Sequence, residues 1–331
     1  MDNNKEIKDI FSPAEKVEPY TYPHLINYMN AIHNSFWIPE HFTFDRDVID
    51  FKVNLTDNER EVVKKCMLAI SQVENKVKTF WGRIDMRMPK TEIAMVGYSF
   101  ANSEAIHQRS YSKLLSLLGL EREFEKIKDI PALEGRTNYL KKYLKGVNSR
   151  SNKEFTKSLI LFTLLIEDIS LFSQFLIVSS FKKYRNVLSN FNSIIGATAR
   201  EEALHSDFGV ALIKIIKEEN PEWFDDEMEN KIRRNIRKAY KAETEILDWI
   251  FQGGELEFLP KESIKEYLKD RFNKSLVNLG YEEEYKVDVS LLKPTEFLEV
   301  QLKASSSFDF FNEKSSEYSN NASFDEEDLW T

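Results

Sequence analysis

Four helix-length stretches of this chain carry an acid where an apolar residue belongs. On the first, Ile70, Val73, Val77 and Trp81 mark an inward stripe, and Glu74 and Lys78 fall beside it. On the second, Gly97, Glu104, Tyr111 and Leu118 recur at heptad spacing, with His107 at the interleaved position. The third repeats Ile160, Glu167 and Gln174 among Leu164, Leu171 and Phe175. The fourth repeats Ile195, Glu202, Gly209 and Ile216, with His205 one turn past the acid. At this spacing all four acids project inward. An isolated ionised carboxylate in a core costs several kcal/mol, and four close together also repel. Such a chain needs cations at its centre.

The rest of the sequence supplies a frame of helices. Gly and Pro number 10 and 9 in 331 residues, less than half of the roughly 40 that average usage gives. That scarcity favours long helices with few connections over sandwiches, barrels or Rossmann-type sheets. Thr56-Asp57-Asn58-Glu59 is a capping box, and it predicts a helix from there to about Arg83. Pro89 predicts the start of another, to about Leu118. Long helices are expected over about Lys153 to Phe181 and Val187 to Lys217, with more to about Lys303. The expected fold is all-α, with one domain over 1–303. Residues 304–331 turn to Ser, Asn and acids, dotted with Phe308, Phe310, Phe311, Tyr318, Phe324 and Trp330. This composition predicts a flexible tail that orders on a partner.

Charge and cysteine narrow the function. A net charge of −9 speaks against a grip on nucleic acid, which requires a basic face. The single cysteine, Cys66, allows no intrachain disulfide and no thiolate-rich zinc site. The opening MDNNKEIKDIF lacks the apolar core of a signal peptide. Leu159 to Phe181 looks like a membrane span, but Glu167, Asp168 and Gln174 would be costly in a bilayer. The expectation is a buried helix in a cytoplasmic protein with no membrane partner.

Glu104-Ala-Ile-His107 and Glu202-Ala-Leu-His205 are two Glu-x-x-His pairs, each on one helix face. Glu74 and Glu167 come from two further helices. One glutamate from each of two helices plus Glu-x-x-His from two others describes the dimetal carboxylate site of a ferritin-like bundle. Four carboxylates and two neutral imidazoles balance two divalent cations. Such an oxygen-rich set suits iron or manganese better than zinc.

Ser103-Glu104-Ala105-Ile106-His107-Gln108-Arg109-Ser110-Tyr111 and Arg200-Glu201-Glu202-Ala203-Leu204-His205 resemble the radical-generating small subunit of class I ribonucleotide reductase. The likeness runs over roughly residues 30 to 331. It implies a homodimer that oxidises a distant cysteine of a separate catalytic subunit, which then makes deoxyribonucleotides. Carried over by position, it implies metal ligation by Glu74, Glu104, His107, Glu167, Glu202 and His205. It implies an electron-relay role for Trp37 in Phe36-Trp37-Ile38-Pro39-Glu40, and for Tyr318 in the tail. It also implies docking through Asp325-Glu326-Glu327-Asp328-Leu329-Trp330. Glu201 stands where the family usually has Asp linking ligand histidine and tryptophan, and Glu74 where many relatives have Asp. Lys78, one turn past Glu74, places a cation near the centre, able to bind a ligand or attract an anionic oxidant. The Glu74/Lys78 pairing resembles the class I-d subgroup. That implies two manganese ions, activated with superoxide, whose Mn(III)/Mn(IV) form is the oxidant, with Tyr111 unoxidised beside them. In di-iron members the position of Tyr111 carries a tyrosyl radical. An oxygenase or desaturase with the same six ligands, and a metal-storage protein, are the rival readings. The first would not need Trp37, Tyr318 or the acidic-aromatic terminus, and the second would load many ions per chain.

Overall fold

The computed structural model describes residues 9–13, 18–74, 77–149 and 151–303. Some of its helices begin on caps that the local sequence supplies, as at Thr56, Ser151 and Asp225. Thr56 N–H donates to Glu59 Oε2 at 2.8 Å, and Glu59 N–H donates to Thr56 Oγ1 at 3.3 Å. This reciprocal capping box satisfies two otherwise orphaned donors. The main helices are α1 (Ile26–Asn34), α2 (Asp57–Glu74), α3 (Thr91–Leu118) and α4 (Glu134–Leu144). They continue with α5 (Asn152–Phe162), α6 (Phe172–Ser180), α7 (Ser189–Glu219), α8 (Asp226–Ile250) and α9 (Lys261–Asn278). Gly119, at φ +70°, ends α3, with Leu120 N–H closing onto Leu115 O at 2.8 Å. Only glycine enters that left-handed position without strain. Among the described residues there is no strand, only an isolated bridge between Leu256 and Leu259.

Two expected helices are interrupted. The first is described as α2 up to Glu74, is not helical at Val77 and continues as a short helix, Lys78–Trp81. The second leaves α-geometry for a π turn over Thr163–Glu167, then a non-helical stretch at 168–171, before α6. The Ser170 hydroxyl donates to the carbonyl of Leu165, so a side chain satisfies a carbonyl at the break. The second interruption falls at an acid of the inward stripes, Glu167. Asn152–Arg185 as a whole is long and apolar enough to cross a membrane, but its most apolar window is 94% buried inside the bundle.

Close packing brings these irregular segments to their neighbours. A Cβ at Gly97 of α3 would stand 2.6 Å from the Trp81 carbonyl oxygen, and one at Gly209 of α7 would stand 2.2 Å from Thr163 Oγ1. At both positions the side chain of glycine, a hydrogen, is what allows the approach.

On the far side of α2 a fully buried cation ties four elements together. Arg136 of α4 pairs with Glu243 of α8 through two hydrogen bonds. It also donates to Gln174 Oε1 of α6 at 2.8 Å and to the Ala69 carbonyl of α2 at 3.2 Å. Tyr139 OH donates to Glu243 Oε1 at 2.5 Å. Arg136→Met would leave Glu243 charged and unpaired in the core. The expected loss is about 3–5 kcal/mol, read as a lowered urea midpoint with unchanged slope.

Candidate dimetal centre

The four acids of the inward stripes converge, as their spacing predicts. Glu74 arrives on the last residue of α2, Glu104 and His107 on α3, Glu167 on the π turn, and Glu202 and His205 on α7. All six are at most 2% exposed. They form two tetrads, Glu74–Glu104–His107–Glu202 and Glu104–Glu167–Glu202–His205, with the ligand atoms of each within 4.8 Å of one another. Glu104 and Glu202 belong to both. His107 Nδ1 lies 3.2 Å from Glu202 Oε1, 3.5 Å from Glu104 Oε2 and 3.6 Å from Glu74 Oε2. His205 Nδ1 lies 3.2 Å from Glu104 Oε1, 3.3 Å from Glu167 Oε2 and 3.6 Å from Glu202 Oε2.

These atoms have the character of a cation site. Both oxygens of Glu74 and of Glu104, one oxygen each of Glu167 and Glu202, and both histidine Nδ1 atoms are buried without a hydrogen-bond partner. Buried polar atoms are normally paired, so this cluster of orphans around one centre fits metal ligation. The donor set, carboxylates with one imidazole per tetrad, suits divalent first-row ions.

The outer contacts orient each imidazole. His107 Nε2 lies 2.6 Å from Glu201 Oε2, so Nε2 carries the proton and Nδ1 faces the centre. Ser103 does the same for His205. Its hydroxyl donates to the Phe100 carbonyl at 2.9 Å and accepts from His205 Nε2 at 3.0 Å. Trp81 Nε1–H donates to Glu167 Oε1 at 2.9 Å. Such partners fix ring orientation and ligand basicity. Ser103 and Trp81 have roles that the sequence reading missed. Ser103 sits directly before the first Glu-x-x-His, which was its available signal, while Trp81 reads only as a stripe residue.

Trp37 is buried at the edge of the centre, its ring stacked on that of His107 with centroids 6.0 Å apart and planes 21° apart. Its Nε1 has no hydrogen-bond partner, so the indole meets the site through its face. Tyr111 is fully buried, with OH donating to Thr198 Oγ1 at 3.3 Å. Burial, reinforced by the Glu74 charge, holds its phenol well above the ordinary value. The Lys78 backbone opens the short helix, but its side chain lies outside the described residues, as do Tyr318 and all of 304–331.

Burial pushes the Glu74 carboxyl up to about 8. Burial, with the Glu202 charge, also raises Glu167 well above its usual range. Glu202 goes the other way: burial is outweighed by the two imidazoles beside it, which hold its carboxyl low. Burial opposes the charged forms of His107 and His205, but the surrounding carboxylates outweigh it and raise both. Without bound cations, a raised carboxyl costs stability once it must ionise, and a raised imidazolium stabilises only while protonated. Both losses grow as pH rises. The cation-free protein is therefore expected to melt at progressively lower temperature between about pH 5 and pH 8. Mn(II) should reverse that trend, as a melting series with and without the ion would show.

Comparison with known proteins agrees with this geometry. The family described as ribonucleotide reductase, small chain, matches residues 14–293. A ribonucleoside-diphosphate reductase subunit beta of Chlamydia pneumoniae is 26% identical over 231 residues, covering 66% of each chain. A ribonucleoside-diphosphate reductase small subunit of Dictyostelium discoideum is 24% identical, covering 95% of this chain and 88% of its own. In fold, the chain is similar to the ribonucleotide reductase R2 subunit of Clostridium botulinum, with a TM-score of 0.76 and 22% identity over 85% of this chain and 89% of that one. It is also similar to the dimanganese(II)-NrdF of Streptococcus sanguinis, with a TM-score of 0.74 and 16% identity over 87% of this chain and 99% of that one.

Proposed function

Because the chain belongs to the ribonucleotide reductase small-chain family, we propose that it generates and supplies the oxidising equivalent for a separate catalytic subunit, in the manner of class I-d. The observation that carries this reading is the pair of buried tetrads sharing Glu104 and Glu202, with their ligand atoms otherwise unpartnered. Glu74, Glu104, His107 and Glu202 would hold one manganese ion, and Glu104, Glu167, Glu202 and His205 the other. The metal pair supplies activation of a reduced oxygen species and storage of one oxidising equivalent.

The chain's own groups prepare for that chemistry. Glu201 and Ser103 keep both imidazoles in the tautomer that presents Nδ1 inward. The aromatic rings of Trp81, Phe100, Phe162 and Phe208 pack around Glu167 and His205 and exclude water from that side. Trp37, stacked near-parallel to His107, is the aromatic step by which an electron enters from the partner side, with Glu201 and His107 linking it to the metals. Lys78 supplies positive charge that draws an anionic oxidant toward the centre. Tyr111 stays a protonated phenol beside the ligands, and under iron loading it is the side chain that would take the oxidant. Two copies of the chain form a homodimer, and residues 304–331 dock on the catalytic subunit, with Tyr318 passing the oxidation across. A chain ending before Ala304 is expected to load metal normally yet lose nucleotide reduction. Full activity without 304–331 would refute the docking role.

The deciding measurement is metal analysis with electron paramagnetic resonance after activation with manganese and superoxide. Two manganese ions per chain and a multiline dimanganese signal are expected. A sharp tyrosyl signal requiring iron would move the oxidant to Tyr111. Loading of many ions per chain would favour storage instead.

A further inference from the structure

Glu167 is the last residue of its π turn, and residues 168–171 after it belong to no helix. A regular helix would fix where its carboxylate points; here neighbouring side chains must do so. Trp81 holds one oxygen directly. The other support is Arg271 of α9, only 7% exposed, which grips the next residue twice. Its Nε–H donates to the Asp168 carbonyl at 2.8 Å, and its Nη2 donates to Asp168 Oδ1 at 2.5 Å. The same guanidinium lies 3.5 Å over the ring of Phe172, the first residue of α6. One planar cation thus holds both sides of the break next to a ligand.

Arg271 also faces the end of the described chain. Its Nη1 donates to Glu299 Oε1 at 2.9 Å, and Tyr267 OH donates to the same oxygen at 3.2 Å. Glu299 lies in the helical residues 296–303, and the sequence continues beyond them to Thr331. A shift of this segment would pull on Nη1, while Nε and Nη2 of the same rigid fork hold Asp168.

Resting on the function proposed above, we propose that Arg271 is a positioning residue for Glu167, and that Glu299 makes its grip depend on the C-terminal segment. Removing an outer contact of this kind typically weakens metal binding 10- to 100-fold. Only the tetrad containing Glu167 should feel it.

Mn(II) titration of the full-length protein, reading free ion by electron paramagnetic resonance alongside melting temperature, tests this. Arg271→Lys keeps the charge but loses the fork, and should weaken one of two Mn(II) sites about 10- to 100-fold while sparing the other. Glu299→Gln should weaken the same single site by a smaller factor with little change in melting temperature. The proposal is overturned if both variants bind two ions as tightly as the parent. It is equally overturned if both sites weaken together in parallel with the melting temperature, which is the signature of a merely structural role. Should Arg271→Lys fail to fold, Glu299→Gln decides by the same criteria. A parent protein that loads two ions while both variants match it removes only the positioning role. A parent that binds no manganese removes the functional reading as well.

Discussion

Glu202→Ala is expected to abolish loading of both metal ions and to reduce nucleotide reduction by at least about 10³-fold, the equivalent of roughly 4 kcal/mol in the barrier. Glu202 belongs to both tetrads, so its loss removes an oxygen from each ion and the shared negative charge between them. Glu74 belongs to only one tetrad, and Glu74→Ala should spare the second ion. A third variant, Glu74→Gln, should separate function from stability. Glu74 is a fully buried carboxylate whose neighbours include Glu104 and Glu202, and without cations it opposes folding at neutral pH. Glu74→Gln should therefore raise the melting temperature of the cation-free protein while lowering metal affinity, as expected where a site is kept at the expense of the fold. Atomic absorption for metal content and calorimetry in a chelating buffer measure the two effects independently. Full loading of both ions in Glu202→Ala would show that the tetrads are not the metal site.

The centre was legible in the sequence because ligation and helix periodicity use the same spacing. Glu104 with His107, and Glu202 with His205, share helix faces by virtue of the i, i+3 offset alone, and the heptad stripes pointed those faces inward. The capping box at Thr56 was legible for the same local reason. What the sequence hid is settled by partners remote in the chain. The start of α7 has no side-chain cap of its own. Its N–H groups are taken by Asp47, which accepts from Asn190 and Phe191 at 2.8 and 3.0 Å, and by Asp50, which accepts from Leu188 at 3.0 Å. The breaks at Val77 and after Glu167 fall in stretches whose apolar residues read as continuous helix. The second is held by Ser170 and by Arg271, about a hundred residues away in sequence. Trp81 illustrates the same limit: periodicity assigned it to the core, where it sits fully buried, but could not show that its one polar atom reaches Glu167.

The two tetrads are also unequal. His107 is backed by the carboxylate of Glu201, whereas His205 is backed by the neutral hydroxyl of Ser103. A carboxylate partner makes an imidazole the stronger donor, so an ion held by His107 would be bound by the more basic nitrogen. Trp37 stacks against that same imidazole. Trp37, the entry point of the proposed route, and the charged outer contact therefore meet on one side of the centre, and the Trp81 and phenylalanine cluster closes the other.

That asymmetry makes Trp37→Phe the sharpest test of the route. The indole lies near-parallel to His107 and at 73° to Phe42, with centroids 6.0 and 5.8 Å away. Phenylalanine keeps an aromatic ring there, whereas alanine would open a cavity costing about 3–5 kcal/mol. Trp37 Nε1 has no hydrogen-bond partner to lose, so the substitution removes little besides the oxidisable indole. Benzene rings are much harder to oxidise than indoles, and an electron crossing at this point would have no intermediate stop. The expected result is unchanged metal stoichiometry and an unchanged resonance signal of the activated centre. Nucleotide reduction with the catalytic subunit should fall by at least about 10³-fold, or roughly 4 kcal/mol. A variant that turns over normally would place the electron path elsewhere. One that loses metal as well would mean that Trp37 acts by holding His107 in place, and the stacking would then be a packing contact rather than a step in transfer.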